Sequence, residues 1–289
     1  MASLPAVFAP YQEDMSRALE TFVPAAPGSR VAEAMRYTLL APSKRVRAIL
    51  AMLAADVCAT GGAARARSAA CAIEAIHAAS LMLDDLPSMD NAPLRRGRPT
   101  AHIAFGEAVT ILAAFGLLNA AFAGLARSYD APLAARLIGV TADAIGLDGL
   151  IAGQAEDVLA TDATIDFDTL ERIHRRKTGA LFSAAATAGG LTAGGTEHEL
   201  AALAAYAKNL GLAFQIVDDL LDVTGDPSET GKATRTDARK TTFVSFSGAA
   251  GAQQLAGELC DTAIAALAPF GSRAVRLTEL AGFVAARRL

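Results

Sequence analysis

The chain has 289 residues, 53% of them hydrophobic and 19% charged, which fits one large domain or two small ones around a substantial core. Its 26 basic and 30 acidic residues leave a net charge of −4, so general nucleic-acid binding is excluded. Glu13, Asp14, Arg17 and Glu20 interrupt any apolar stretch near the first residues, so no secretory signal is expected. Cys58, Cys71 and Cys260 lack metal-site spacing and read as free thiols of a reducing, cytoplasmic setting.

Apolar residues recur at three- and four-residue spacing from Tyr11 onward, and no stretch alternates as a half-buried strand would. Breaks fall at residues 24–28, 41–43, 61–62 and 226–227, all rich in Pro or Gly. The pattern predicts an all-α fold, one domain over residues 1–289, built as a helical bundle with short loops.

Residues 31–56 predict helix, turn, helix. Ser43 is placed to cap the second helix, whose first turn would carry Lys44, Arg45 and Arg47. Basic residues there oppose the helix dipole, and an anion resting on that N-terminus would explain them; a solvated surface is the bland alternative. The next helix, over residues 66–86, brings His77 and Asp84 onto one side, roughly 10 Å apart along the axis. A lone helical histidine is more often a satisfied core residue, but this alignment favours a functional one.

That helix ends in Asp84-Asp85-Leu86-Pro87, with Asp90 and then Arg95-Arg96-Gly97 beyond. Adjacent carboxylates after an apolar run repel and cost desolvation, so a divalent cation is expected. On an unbroken helix Asp84 and Asp90 would point about 120° apart. Pro87 disturbs the helix, and a bulged turn would bring Asp90 round to the same Mg²⁺, with room for water and phosphate oxygens.

Residues 108–126 carry no charge. Nineteen such residues raise a transmembrane question; the reading here is a helix buried in the bundle and no transmembrane segment. Gln154 and Asp157 share a face and serve equally well as structural or functional polar residues. Asp168 and Glu171 have capping-box spacing, and the charge run through Arg176 reads mostly as solvated surface, Lys177 beside Gly179 being its candidate site member. Finally, Asp218, Asp219 and Asp222 repeat at helical spacing with no basic residue within one turn on that helix. Like charges so placed destabilise a helix, and a metal again compensates. Lys232 and Lys240 lie in the polar loop that follows.

With both acidic clusters placed, the chain resembles the trans-isoprenyl diphosphate synthases (polyprenyl synthase family) over nearly its whole length. The resemblance rests on an ordered set: Lys44-Arg45-Val46-Arg47, Glu74 with His77 and Ser80, Asp84-Asp85 with Asp90 and Arg95-Arg96-Gly97, Gly153-Gln154 with Asp157, Lys177-Thr178-Gly179, and Phe214-Gln215 with Asp218, Asp219 and Asp222. It implies an isoprenoid synthase fold with a central apolar cavity, usually a homodimer. It also implies Mg²⁺, three ions bound with the diphosphate, on Asp84, Asp90 and Asp218, with Asp85, Asp219 and Asp222 as further ligands or support. Isopentenyl diphosphate would be held by Lys44, Arg47, His77 and Arg96. An allylic diphosphate would meet Arg95, Lys177 and Lys232, with Thr178 and Gln215 at the reacting end. Two departures from the family pattern are the Pro42-Ser43 flank of the basic motif and a loop over residues 232–240 about two residues short, which weakens the case for Lys240.

The small Ala79 and Ser80, one turn below Asp84, would let a lengthening tail pass. This resembles bacterial geranylgeranyl diphosphate synthases and implies a twenty-carbon product, with farnesyl diphosphate second. A non-catalytic partner subunit of another synthase is the reading from a different class; the presence of both acidic clusters argues against it.

Overall fold

The computed structural model describes residues 4–23, 25–224 and 240–286. The main helices are α1 (Ala9–Phe22), α2 (Arg30–Leu39), α3 (Val46–Cys58), α4 (Gly62–Asp84), α5 (Ala101–Phe105), α6 (Glu107–Ser128), α7 (Ala131–Ile145), α8 (Leu150–Leu159), α9 (Phe167–His174), α10 (Ala180–Thr192), α11 (Glu197–Thr224), α12 (Phe243–Ala266) and α13 (Val275–Ala285). A π turn, Arg175–Gly179, joins α9 to α10. The only strands among the described residues are β1 (Leu94–Arg95) and β2 (Arg98–Pro99), a hairpin whose two-residue strands are too short to show an alternating pattern.

Helix α4 runs through the middle, packed by α3, α6 and α10, and α10 in turn packs on α11. The interior is rich in alanine: Ala48, Ala51 and Ala54 on α3, Ala72, Ala75 and Ala79 on α4, and Ala184 to Ala188 on α10 include many of the buried side chains. Each buried methylene-sized group contributes only about 0.8 kcal/mol, so cohesion here comes from helix backbones brought close together over long faces. Larger anchors are placed where helices cross, as with the fully buried Tyr206 of α11, whose hydroxyl donates to the Leu277 carbonyl of α13 at 2.6 Å.

Three expectations are corrected. Helix α3 starts at Val46, after a left-handed Arg45 (φ 54°) that occupies the N-cap, and the Ser43 hydroxyl is buried without a partner. Lys44 and Arg45 therefore precede the helix instead of crowding its first turn. Helix α9 is capped by Asp166, which accepts from the Thr169 amide at 2.8 Å, so Asp168 lies in the first turn. Helix α6 is not enclosed on all sides: it leaves Ile111, Leu112 and Phe115 exposed, while Ala113, Ala114, Leu117 and Ala121 face inward. Both α6 and α11 are long and apolar enough to cross a membrane, but most of α11 is buried in the bundle.

Candidate active site

The first acidic stretch folds back on itself. Helix α4 stops at Asp84, and the Asp90 amide donates to the Asp84 carbonyl at 2.9 Å, closing a turn from Asp84 to Asp90 around Pro87. Asp90 thus returns beside Asp84, as the spacing predicts. Burial pushes the Asp84 carboxyl up to about 6, with Lys177 opposing the rise and Asp90 adding to it. Asp85 points elsewhere. It is 4% exposed and takes a bidentate contact from Arg95, Nε at 2.8–2.9 Å and Nη2 at 2.6 Å. Arg96 and Gly97, both with positive φ, make the two-residue turn between β1 and β2, the mirror-image geometry that suits a twisted hairpin. This turn sends Arg95 back to Asp85 and sets Arg96 near Arg45 and Arg47.

Facing this wall is a chain of charges drawn from three elements. Asp157 of α8 accepts from Lys177 Nζ at 2.7 Å and from Lys240 Nζ at 2.8 Å, and Lys240 also reaches Asp90 at 3.1 Å. Burial alone would raise the Asp157 carboxyl, but the two lysines overcome it and hold it at about 2. Lys177 and Thr178 sit on the π turn, a distortion frequent at functional sites. Thr178 donates to Gln215 Oε1 at 2.9 Å, and Gln215 Nε2 donates to Asp219 at 3.0 Å, which fixes the way round the Gln215 amide lies. Asp219 is 3% exposed and also accepts the Phe243 amide at 3.1 Å, tying α11 to the start of α12. Asp218 and Asp222 are half-buried on the same helix.

A basic shelf adjoins the acidic wall. Arg47 approaches His77 Nε2 at 3.3 Å and lies over the Phe182 ring at 4.7 Å, while its buried Nε has no partner. Burial lowers Arg47 to about 10, so it stays charged near neutrality, and burial with the nearby arginines drives His77 well below its ordinary value. His77 is therefore a neutral acceptor beside a cation. Arg96 is in the same field, its charge disfavoured first by burial and opposed by Arg45 and Arg95. Arginines gathered with an unsatisfied N–H fit a multiply charged anion. Arg45 belongs to the scaffold: it pairs with buried Glu74 at 3.2 Å and donates to the Leu39 and Ala41 carbonyls. Lys44 lies 5.5 Å from the Phe283 ring centre.

The structure thus brings Asp84, Asp90 and Lys177 together, sets Thr178 against Gln215, and groups Arg47, His77 and Arg96 within one another's field, with Asp218 near Arg47. Two of the residues expected as further metal ligands or support already have protein partners. Asp85 is fully engaged by Arg95, and Asp219 by Gln215 and a backbone amide. Among the described residues no three of His, Cys, Asp and Glu stand together as a ligand group. The hard carboxylate oxygens of half-buried Asp84 and exposed Asp90 fit Mg²⁺ by donor type. Lys232 lies outside the described residues. Lys240 and His174 were underrated: Lys240 bridges two carboxylates, and His174 is buried against the Phe243 ring. The basic character of the 232–240 loop was the available signal for the first; for the second there was none within the charge run.

A polyprenyl synthetase family model matches residues 29–259. The chain is 43% identical over 262 residues to a chloroplastic geranylgeranyl pyrophosphate synthase of Capsicum annuum, covering 88% of this chain and 71% of that protein. It superposes with a TM-score of 0.84 on an FPP/GFPP synthase from Zymomonas mobilis, 36% identical, over 97% of this chain and 98% of that one. It also superposes, at TM-score 0.82 and 27% identity over 98% of both chains, on a geranyltransferase from Helicobacter pylori complexed with magnesium and isoprenyl diphosphate.

Proposed function

The chain belongs to the polyprenyl synthetase family and is a short-chain prenyltransferase; from that premise we propose that it condenses an allylic diphosphate with isopentenyl diphosphate to give geranylgeranyl diphosphate. The observation that carries the reading is the pairing of two anion sites along α4. At Asp84 carboxylates and lysines face each other, and near His77 arginines gather around an unsatisfied Nε.

In this reading Asp84, Asp90 and Asp218 hold Mg²⁺, and three ions accompany the allylic diphosphate. When bound, Mg²⁺ neutralises the charge that grows on the leaving diphosphate as the allylic C–O bond breaks. Lys177 and Lys240 add donors to the same oxygens, with Asp157 setting where their ammonium groups stand. The Gln215 carbonyl, fixed by Thr178 and Asp219, aims the negative end of its dipole at the reacting end of the allylic chain, where a cation develops. Arg47, neutral His77 and Arg96 hold isopentenyl diphosphate so that its double bond meets that carbon, and the released diphosphate takes the proton. Apolar walls keep water from the cation. No nucleophilic side chain takes part.

The twenty-carbon assignment is supported by the relative from Capsicum annuum and by Ala79, which is buried and small, with Ser80 turned back onto the His77 carbonyl at 2.9 Å. Purified protein given farnesyl diphosphate, isopentenyl diphosphate and Mg²⁺ should form the twenty-carbon product. An end point at fifteen carbons would instead establish a farnesyl diphosphate synthase, the reading that the FPP/GFPP synthase neighbour favours.

The exposed apolar residues Ile111, Leu112 and Phe115 of α6 support a homodimer closed through that helix. Light scattering should give twice the 29.6 kDa chain mass, and Phe115→Glu should return a monomer. The unpaired cysteines accord with a reducing, cytoplasmic setting.

A further inference from the structure

Two glycines grip the π turn that carries Lys177 and Thr178. A Cβ at Gly153 of α8 would stand 2.3 Å from the Lys177 amide nitrogen and 2.8 Å from its Cα. Across the turn, a Cβ at Gly211 of α11 would come within 3.1 Å of Gly179 Cα. Neither glycine has a positive φ, so backbone freedom does not explain them; close approach of another backbone does. Four residues beyond each glycine, on the same helix face, stands the polar group that catches a side chain of the turn. Asp157 accepts from Lys177, and Gln215 accepts from Thr178. The turn is therefore held at its backbone by two glycines and at its side chains by two acceptors, one of each from α8 and from α11.

We infer that Gly153, and to a smaller degree Gly211, are positioning residues that set the π turn so that Lys177 presents its ammonium group to the allylic diphosphate while Thr178 holds Gln215 at the reacting end. The inference rests on the allylic site described under the proposed function. A methyl at position 153 meets backbone, which cannot rotate away as a side-chain tip can. Moving the turn by about 1 Å, the scale of displacement that such an overlap demands, costs on the order of a hundredfold in rate when the displaced groups orient reacting atoms. At position 211 the overlap is slight, and the same change should act in the same direction by a few-fold.

The test is steady-state kinetics on Gly153→Ala and Gly211→Ala with farnesyl diphosphate and isopentenyl diphosphate varied separately. In Gly153→Ala the KM for the allylic substrate should rise about tenfold and kcat should fall about tenfold. The KM for isopentenyl diphosphate should stay within about twofold, because its proposed ligands lie on other elements. Calorimetric titration of inorganic diphosphate with Mg²⁺ should show weaker binding by a similar factor, and far-UV circular dichroism and melting should confirm folded protein. Equal changes in both KM values, or losses that follow only the folded fraction, would overturn the inference. Should Gly153→Ala not fold, an unchanged allylic KM in Gly211→Ala overturns it. A wild-type enzyme that extends no allylic diphosphate refutes the functional reading separately, and the diphosphate titration then still tests the glycines.

Discussion

The two acidic stretches begin with the same dipeptide and dispose of its repulsion in different ways. Neighbours on a helix point about 100° apart, so in Asp84-Asp85 and in Asp218-Asp219 the second carboxylate turns into the protein, 4% and 3% exposed. In the first stretch the helix breaks, and an arginine from the β hairpin comes back to meet Asp85. In the second the helix continues, and Asp219 receives a side-chain amide one turn away and the first amide of α12. A charged partner does the work in one case and hydrogen-bond donors without charge in the other. The aspartate pairs are thus each one candidate ligand and one anchor, and the two kinds should separate under mutation.

The largest effect is expected for the first residue of each pair. Asp84→Ala and Asp218→Ala should each lower kcat by about a thousandfold with little change in melting temperature; Mg²⁺-dependent turnover that survives would break the division. Asp85→Ala should act chiefly on stability. It leaves a largely buried Arg95 without its bidentate partner, a loss of about 3 kcal/mol by the cost of breaking such a pair, to be read from chemical denaturation. The underside of the second stretch offers a pH test. His174, its ring tilted against Phe243 at 5.4 Å, has its imidazole lowered to about 4 by burial. The unfolded chain takes up this proton below about pH 6.5 while the folded chain does not, so stability falls as pH drops from 6.5 toward 4, by about 3 kcal/mol in all. Denaturation curves of His174→Leu should lack that slope; a slope equal to wild type would clear His174 of the effect. The smallest change is expected for Asp219→Leu, which strands the Phe243 amide and the Gln215 amide at a cost of about 2 kcal/mol. A drop in melting temperature larger than that of Asp85→Ala would reverse the ranking of the two anchors.

Much of this was legible in the chain because it is local. Helical spacing gave the helices, Pro87 implied the turn that returns Asp90 to Asp84, and the three-residue step from Asp219 to Asp222 placed both on one helix. Partners far apart in sequence were not legible. The partner of Asp85 was hidden because Arg95 meets it only after the hairpin forms, and that of Asp219 because the Phe243 amide arrives from beyond residue 240. Ser43 looked like a cap until Arg45, drawn inward by Glu74, took a left-handed conformation and delayed the helix. The exposed side of α6 was hidden for another reason: an apolar surface has the same composition whether this chain or a second one covers it.

The π turn has a consequence for how the gene can vary. A π turn holds one residue more than the α-helical turn it replaces, so α9 and α10 are two regular helices joined out of phase across Arg175–Gly179. Removing one residue there would restore an uninterrupted helix and rotate everything on one side of the junction by about 100°. Lys177 and Thr178 would then leave the faces that meet α8 and α11. The five residues should therefore accept exchange at their outward-facing positions yet resist any insertion or deletion, making length, more than composition, the inherited quantity.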